Sequence, residues 1–103
     1  PLWLAPVQVV IIPISEKHHE AAKKMAETLK DAGIRVEVDD RADPMQGKIR
    51  DATLQKVPFM GIIGDKEIAD TRISVRTRSG ENLGLLTESD FRSRLLEEIE
   101  RKS

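Results

Sequence analysis

Cysteine is absent from the 103 residues, which excludes disulfides and thiolate metal centres and fits a reducing compartment. Tyrosine is absent too, and Trp3, Phe59 and Phe91 are the only aromatic residues. No apolar run approaches the roughly 18 residues that span a bilayer. The start of the chain has no basic segment followed by a long apolar stretch, so neither a membrane anchor nor a signal peptide is expected. Neither sign of charge dominates: 17 Lys and Arg stand against 18 Asp and Glu, for a net charge of −1. A generic nucleic-acid binder held by bulk electrostatics is thereby excluded. What remains, 34% charged and 39% hydrophobic residues, describes one folded, soluble domain with a single core, expected in the cytoplasm.

The charge is unevenly spread. Residues 1–40 carry five positive and seven negative groups, residues 41–78 eight and five, and residues 79–103 four and six. The basic middle third coincides with the densest turn chemistry. Pro1 to Pro6 reads as a linker, and residues 7–103 as the domain. Val7 to Ile12 is a β-branched apolar run, the pattern of a strand buried on both faces. Ser15 can cap the following helix, whose Ala22, Met25, Ala26 and Leu29 share one face and whose end is marked by Gly33. Ile34, Val36 and Val38 alternate with charged residues, predicting a strand near an edge. Asp43-Pro44 opens a second helix, with Met45, Ile49 and Ala52 inward and Lys48, Asp51 and Gln55 elsewhere; Val57-Pro58 stops it.

Phe59 to Ile63 reads as a central strand closed by Gly64. Arg72, Ser74, Arg76 and Arg78 then alternate with Ile73, Val75 and Thr77, a turn follows at Ser79 to Asn82, and Leu83 to Leu86 returns. Thr87 and Asp90 cap a last helix with Phe91, Leu95 and Ile99 inward. The expected class is α/β: a three-layer α/β/α domain in the order β-α-β-α-β-β-β-α, with a mixed sheet and helices on both faces.

Several chemistries are refused by the pattern. The turn after the first strand, Pro13-Ile14-Ser15-Glu16, lacks the glycines that let backbone approach a pyrophosphate, so Asp39 alone does not make a nucleotide site. His18 and His19 are adjacent and point about 100° apart on a helix, which favours surface histidines over metal ligands. Asp39, Asp40, Asp65 and Glu67 read as solvated strand ends rather than as the metal cluster of a phosphotransfer enzyme. The arginine strand is the sharpest feature. A guanidinium fork matches the O6/N7 edge of guanine, and Glu67 could accept a base or ribose proton. An edge strand that uses arginine to resist aggregation would show the same periodicity.

Six segments in order, Trp3 to Val9, Gly33 to Val36, Lys48-Ile49-Arg50, Lys56 to Phe59, Gly64 to Glu67 and Val75 to Arg78, resemble the C-terminal anticodon-binding domains of threonyl-tRNA synthetases, class II aminoacyl-tRNA synthetases. The resemblance implies a five-stranded mixed sheet with one antiparallel strand and a surface that reads the anticodon loop of threonine tRNA. It implies that Arg76 reads the central guanine, that Glu67 helps there, that Arg50 faces the RNA, and that Lys48 touches phosphate. Arg41 and Arg78 complete the expected RNA-binding set. It implies no catalytic residue, metal or cofactor in this domain; ATP, magnesium and zinc would belong to a catalytic domain preceding it, from which this chain would be a fragment. The expected partners are the tRNA anticodon stem-loop and that catalytic domain, with no membrane, and the isolated domain is expected to be monomeric.

Ala21, Ala42 and Gln46-Gly47 depart from residues usual in that family. Because stacking on aromatic side chains contributes roughly 1–3 kcal/mol per base, so few aromatics imply weaker RNA affinity. A protein-interaction or assembly domain that keeps the fold without reading RNA is the alternative.

Overall fold

The apolar runs form the centre of the sheet. A computed structural model of the chain describes residues 4–41, 44–70, 72–77 and 79–101. Its first strand, β1 (Val9–Pro13), is buried along its whole length. A 3-10 turn over Glu16–His18 leads into α1 (His19–Asp31), then β2 (Val36–Val38), α2 (Met45–Leu54) and β3 (Phe59–Ile63). There follow α3 (Asp65–Asp70), β4 (Arg72–Thr77), β5 (Asn82–Thr87) and α4 (Glu88–Glu100). The sheet order is β2-β1-β3-β4-β5. β1 runs parallel to β2 and β3, while β4 is antiparallel to both of its neighbours, so it is the single reversed strand of a mixed sheet.

Alternation along β1 divides the core in two. Val9 and Ile11 join Ile73, Val75, Ala22, Ala26, Leu29, Phe91 and Leu95 under α1 and α4. Val10 and Ile12 join Met60, Ile62 and Ala52 under α2, with Met45 and Ile49 packed at its margin. The three-layer expectation and its inward residues hold. Phe59 and Phe91 meet edge to face at a centroid distance of 6.1 Å, a favourable aromatic geometry. Gly61 lies at a close approach: a Cβ there would press on Ile73 Cδ1, the end of a buried side chain that would have to shift. Thr87 Oγ1 accepts from the Asp90 amide at 3.1 Å, as its capping role requires.

Three expectations need correction. The six-residue α3 was not foreseen; Gly64 to Glu67 leaves the strand and turns at once into a helix with Asp65 and Glu67 in its first turn. Pro44 occupies the N-cap of α2 with an extended ψ of 149°, not the first helical position, and Asp43 lies outside the described residues. β4 is no edge strand, since it lies between β3 and β5. Its arginines therefore do not guard a free sheet edge.

Candidate functional site

Ile73 and Val75 are fully buried under α1 and α4, which turns Ser74 and Arg76 toward the α2 face of the sheet. Arg76 pairs with Met60 on one side and with Asn82 on the other. Opposite it, β5 is irregular: the register passes from Val75↔Gly84 to Arg76↔Asn82, so one extra residue is accommodated. Gly84 makes this possible at φ 84°, and its amide donates to Asn82 Oδ1 at 2.8 Å. Such a bulge increases local twist and re-aims the facing side chain.

Arg76 enters a cavity of about 370 Å³ lined by Met45, Gln46, Ile49, Arg50 and Arg76 itself. Its Nε is shut off from solvent and has no hydrogen-bond partner among the described residues. Arg50 is exposed, and among the described residues it makes no ion pair. Buried donors are nearly always answered, so an enclosed N–H without an acceptor marks a place prepared for one. The wall of Met45 and Ile49 is apolar, and the guanidinium groups beside it are rigid, planar donors. A flat group with hydrogen-bond acceptors on its edge satisfies both.

The other expected site residues are placed differently. Lys48 is 2% exposed. Its Nζ donates to the Asp39 carbonyl at 3.0 Å and more weakly to the Pro13 carbonyl at 3.5 Å, at the ends of β2 and β1. It does not stand on the wet face of α2 where a phosphate contact was expected. Glu67 is also buried; its Oε1 accepts from the Gly64 amide at 2.7 Å. It borders a separate cavity on the α1 side with Ala21, Met25, Ile63 and Ile68, so the structure does not bring it to Arg76. Arg72 borders that same cavity, which breaks up the expected row of three arginines; Arg78 lies outside the described residues.

Arg41 is held by carboxylates. Its Nε and Nη2 donate to the two Asp39 oxygens at 2.8 and 2.7 Å, and Nη2 also donates to Asp51 Oδ2 at 2.8 Å. The Arg41 bond holds the Asp39 carboxyl below its ordinary value of 3.8 against the opposing effect of burial, with the charge of Lys48 adding to it. A depressed carboxyl contributes stability that is complete above its unfolded value and is lost as pH falls through the folded one. Thermal melts are therefore expected to decline below about pH 4, and Asp39→Asn to flatten that decline while lowering the melting temperature at pH 7.

His18 corrects the surface reading. It is 3% exposed, its Nδ1 accepts from the Ser15 amide at 3.1 Å, and Nε2 contacts Asp65 Oδ1 at 2.8 Å. Because Nδ1 accepts, the proton of the neutral ring sits on Nε2 and is donated to Asp65. Lys17 Nζ reaches the other Asp65 oxygen at 3.1 Å, and the two bonds, His18 first, hold that carboxyl low. This clasp ties the 3-10 turn ahead of α1 to the start of α3, across 47 residues. No spacing in the sequence signals it.

The chain is thus an α/β domain, a mixed sheet with helices on both faces, that displays one unanswered arginine in a cavity beside a second. Residues 8–98 match the anticodon binding domain family, and the chain belongs to it. The threonine–tRNA ligase of Caldanaerobacter subterraneus subsp. tengcongensis is 48% identical over 103 residues, which cover all of this chain and 16% of that protein. That of Aquifex aeolicus is 47% identical over 102 residues, 99% of this chain and 16% of that protein. In three dimensions the RNA binding domain of threonyl-tRNA synthetase from Cryptosporidium parvum Iowa II aligns with a TM-score of 0.89 at 31% identity, covering 94% of this chain and 24% of that one. Histidyl-tRNA synthetase from Nostoc sp. PCC 7120 aligns with a TM-score of 0.81 at 26% identity, covering 94% of this chain and 22% of that one. The domain is homologous to the anticodon-binding domain of threonyl-tRNA synthetases and spans about a sixth of the length of these ligases. Among the described residues no helix is long and apolar enough to cross a membrane.

Proposed function

We propose that the chain is the tRNA-recognition module of a threonine–tRNA ligase. It binds the anticodon stem-loop of threonine tRNA and supports aminoacylation by a catalytic domain of the same protein, to which ATP, magnesium and zinc would belong. The module acts in the cytoplasm and is monomeric in isolation. The observation that carries this reading is the enclosed Arg76 Nε, without a partner among the described residues, in a cavity that it shares with the exposed Arg50. Single-stranded loops can splay a base into such a cavity and offer its edges to side chains.

The direct test is titration of the 103-residue chain with anticodon stem-loops that carry the central guanine or another base in its place. Preference for guanine is expected, and equal affinity ends the reading. Arg50, exposed on the same rim, is expected to act on phosphate. Arg50→Ala should weaken both loops alike and reduce the slope of log K against log salt by about 0.7. Absolute affinity should be modest, because Phe59 and Phe91 are committed to the core and no exposed aromatic is found among the described residues. Nothing in the cavity favours a protein partner over RNA.

A further inference from the structure

Arginine donates hydrogen bonds and cannot accept them. A guanine whose N7 and O6 face Arg76 therefore leaves its own donors unanswered by that residue, the 2-amino group farthest away. Of the side chains that line the cavity, Met45 and Ile49 are apolar, and Arg50 and Arg76 are donors only. Gln46 alone supplies a strong acceptor, its Oε1. It lies in the first turn of α2, on a different element from Arg76, and its carboxamide makes no hydrogen bond among the described residues. Glu67, the acid that the family resemblance brings to this task, is spent on the Gly64 amide in another cavity.

We infer that Gln46 is a specificity-determining residue, whose Oε1 accepts a hydrogen bond from the 2-amino group of the guanine read by Arg76. The inference rests on the anticodon-reading function. The two residues divide the base between them: the β4 arginine takes the acceptor edge and the α2 carboxamide takes the far donor. A neutral amide suits the position, since it can be desolvated beside two guanidinium groups without adding a charge that titrates.

Fluorescence anisotropy with threonine anticodon stem-loops carrying guanine, inosine or 7-deazaguanine at the central position separates the contacts. Inosine lacks the 2-amino group, and 7-deazaguanine lacks N7. The unmodified chain is expected to bind the inosine loop roughly three- to tenfold more weakly than the guanine loop, the range for one neutral hydrogen bond. Gln46→Ala should bind guanine and inosine loops alike while still discriminating against 7-deazaguanine, and Gln46→Glu should keep the preference for guanine over inosine. Arg76→Ala should lose the 7-deazaguanine effect. The inference is overturned if the unmodified chain does not distinguish inosine from guanine, or if Gln46→Ala keeps that distinction. Either result leaves the anticodon-reading function standing as long as guanine is preferred to uridine; loss of that preference is the separate outcome that ends the function itself.

Discussion

Arg76→Ala is expected to remove about 1–3 kcal/mol of preference for a loop with the central guanine, the range for one bidentate contact to a base. Little of this change should appear as lost stability. The Arg76 head group makes no ion pair among the described residues, and its enclosed Nε has no hydrogen bond to lose. Removing an unanswered donor from an enclosed position lifts a small penalty, so the unfolding midpoint should stay level or rise slightly. Arg76→Lys sharpens the result. An ammonium keeps the charge and loses the planar fork, so the salt-dependent part of binding should survive while guanine discrimination falls nearly as far as in the alanine variant. Paired titrations with guanine and uridine loops at two salt concentrations separate these outcomes. An equal loss of affinity for both loops would reassign Arg76 to phosphate.

The elements whose pattern is local are legible in the amino-acid sequence. β1 and β3 are doubly buried strands, and their continuous apolar runs say so; Ile73 and Val75 are fully buried because period-two alternation puts them on one face. Periodicity also gave Arg76 its orientation away from the α1 and α4 core. It could not show what that orientation meets, because the cavity is closed by the first turn of α2, thirty residues earlier. The same limit explains the misplaced residues. Lys48 reads as wet by its type, yet the ends of β1 and β2 bring two carbonyls over it. His18 reads as one of a surface pair until α3, itself unforeseen, delivers Asp65. Arg41 pairs with Asp39 through a local turn that spacing permits, and with Asp51 only through the packing of α2 against the sheet. Charged side chains are assigned by their partners, and partners are a property of the assembled sheet.

Lys48 offers the largest expected effect on stability. A buried ammonium is tolerable only if acceptors replace its water, and here the carbonyls of Asp39 and Pro13 do so. Lys48→Ala would strip a donor from two strand-end carbonyls and leave the space of a four-carbon stem inside a residue that is 2% exposed. Unanswered acceptors cost about 1–3 kcal/mol, and the lost packing of the stem adds to this, so a destabilisation of about 2–4 kcal/mol is expected in chemical denaturation. Lys48→Met restores most of the stem without the donor and should recover the packing share alone. The nucleic-acid readout then decides where Lys48 acts. Measured on folded protein, Lys48→Ala should leave both the guanine preference and the salt slope unchanged, because a committed ammonium releases no counterions from phosphate. An exposed phosphate contact would give the reverse: an unchanged unfolding midpoint and a slope smaller by about 0.7. Both variants thus ask whether the charge belongs to the fold or to the RNA, and the two carbonyls over Nζ place it with the fold.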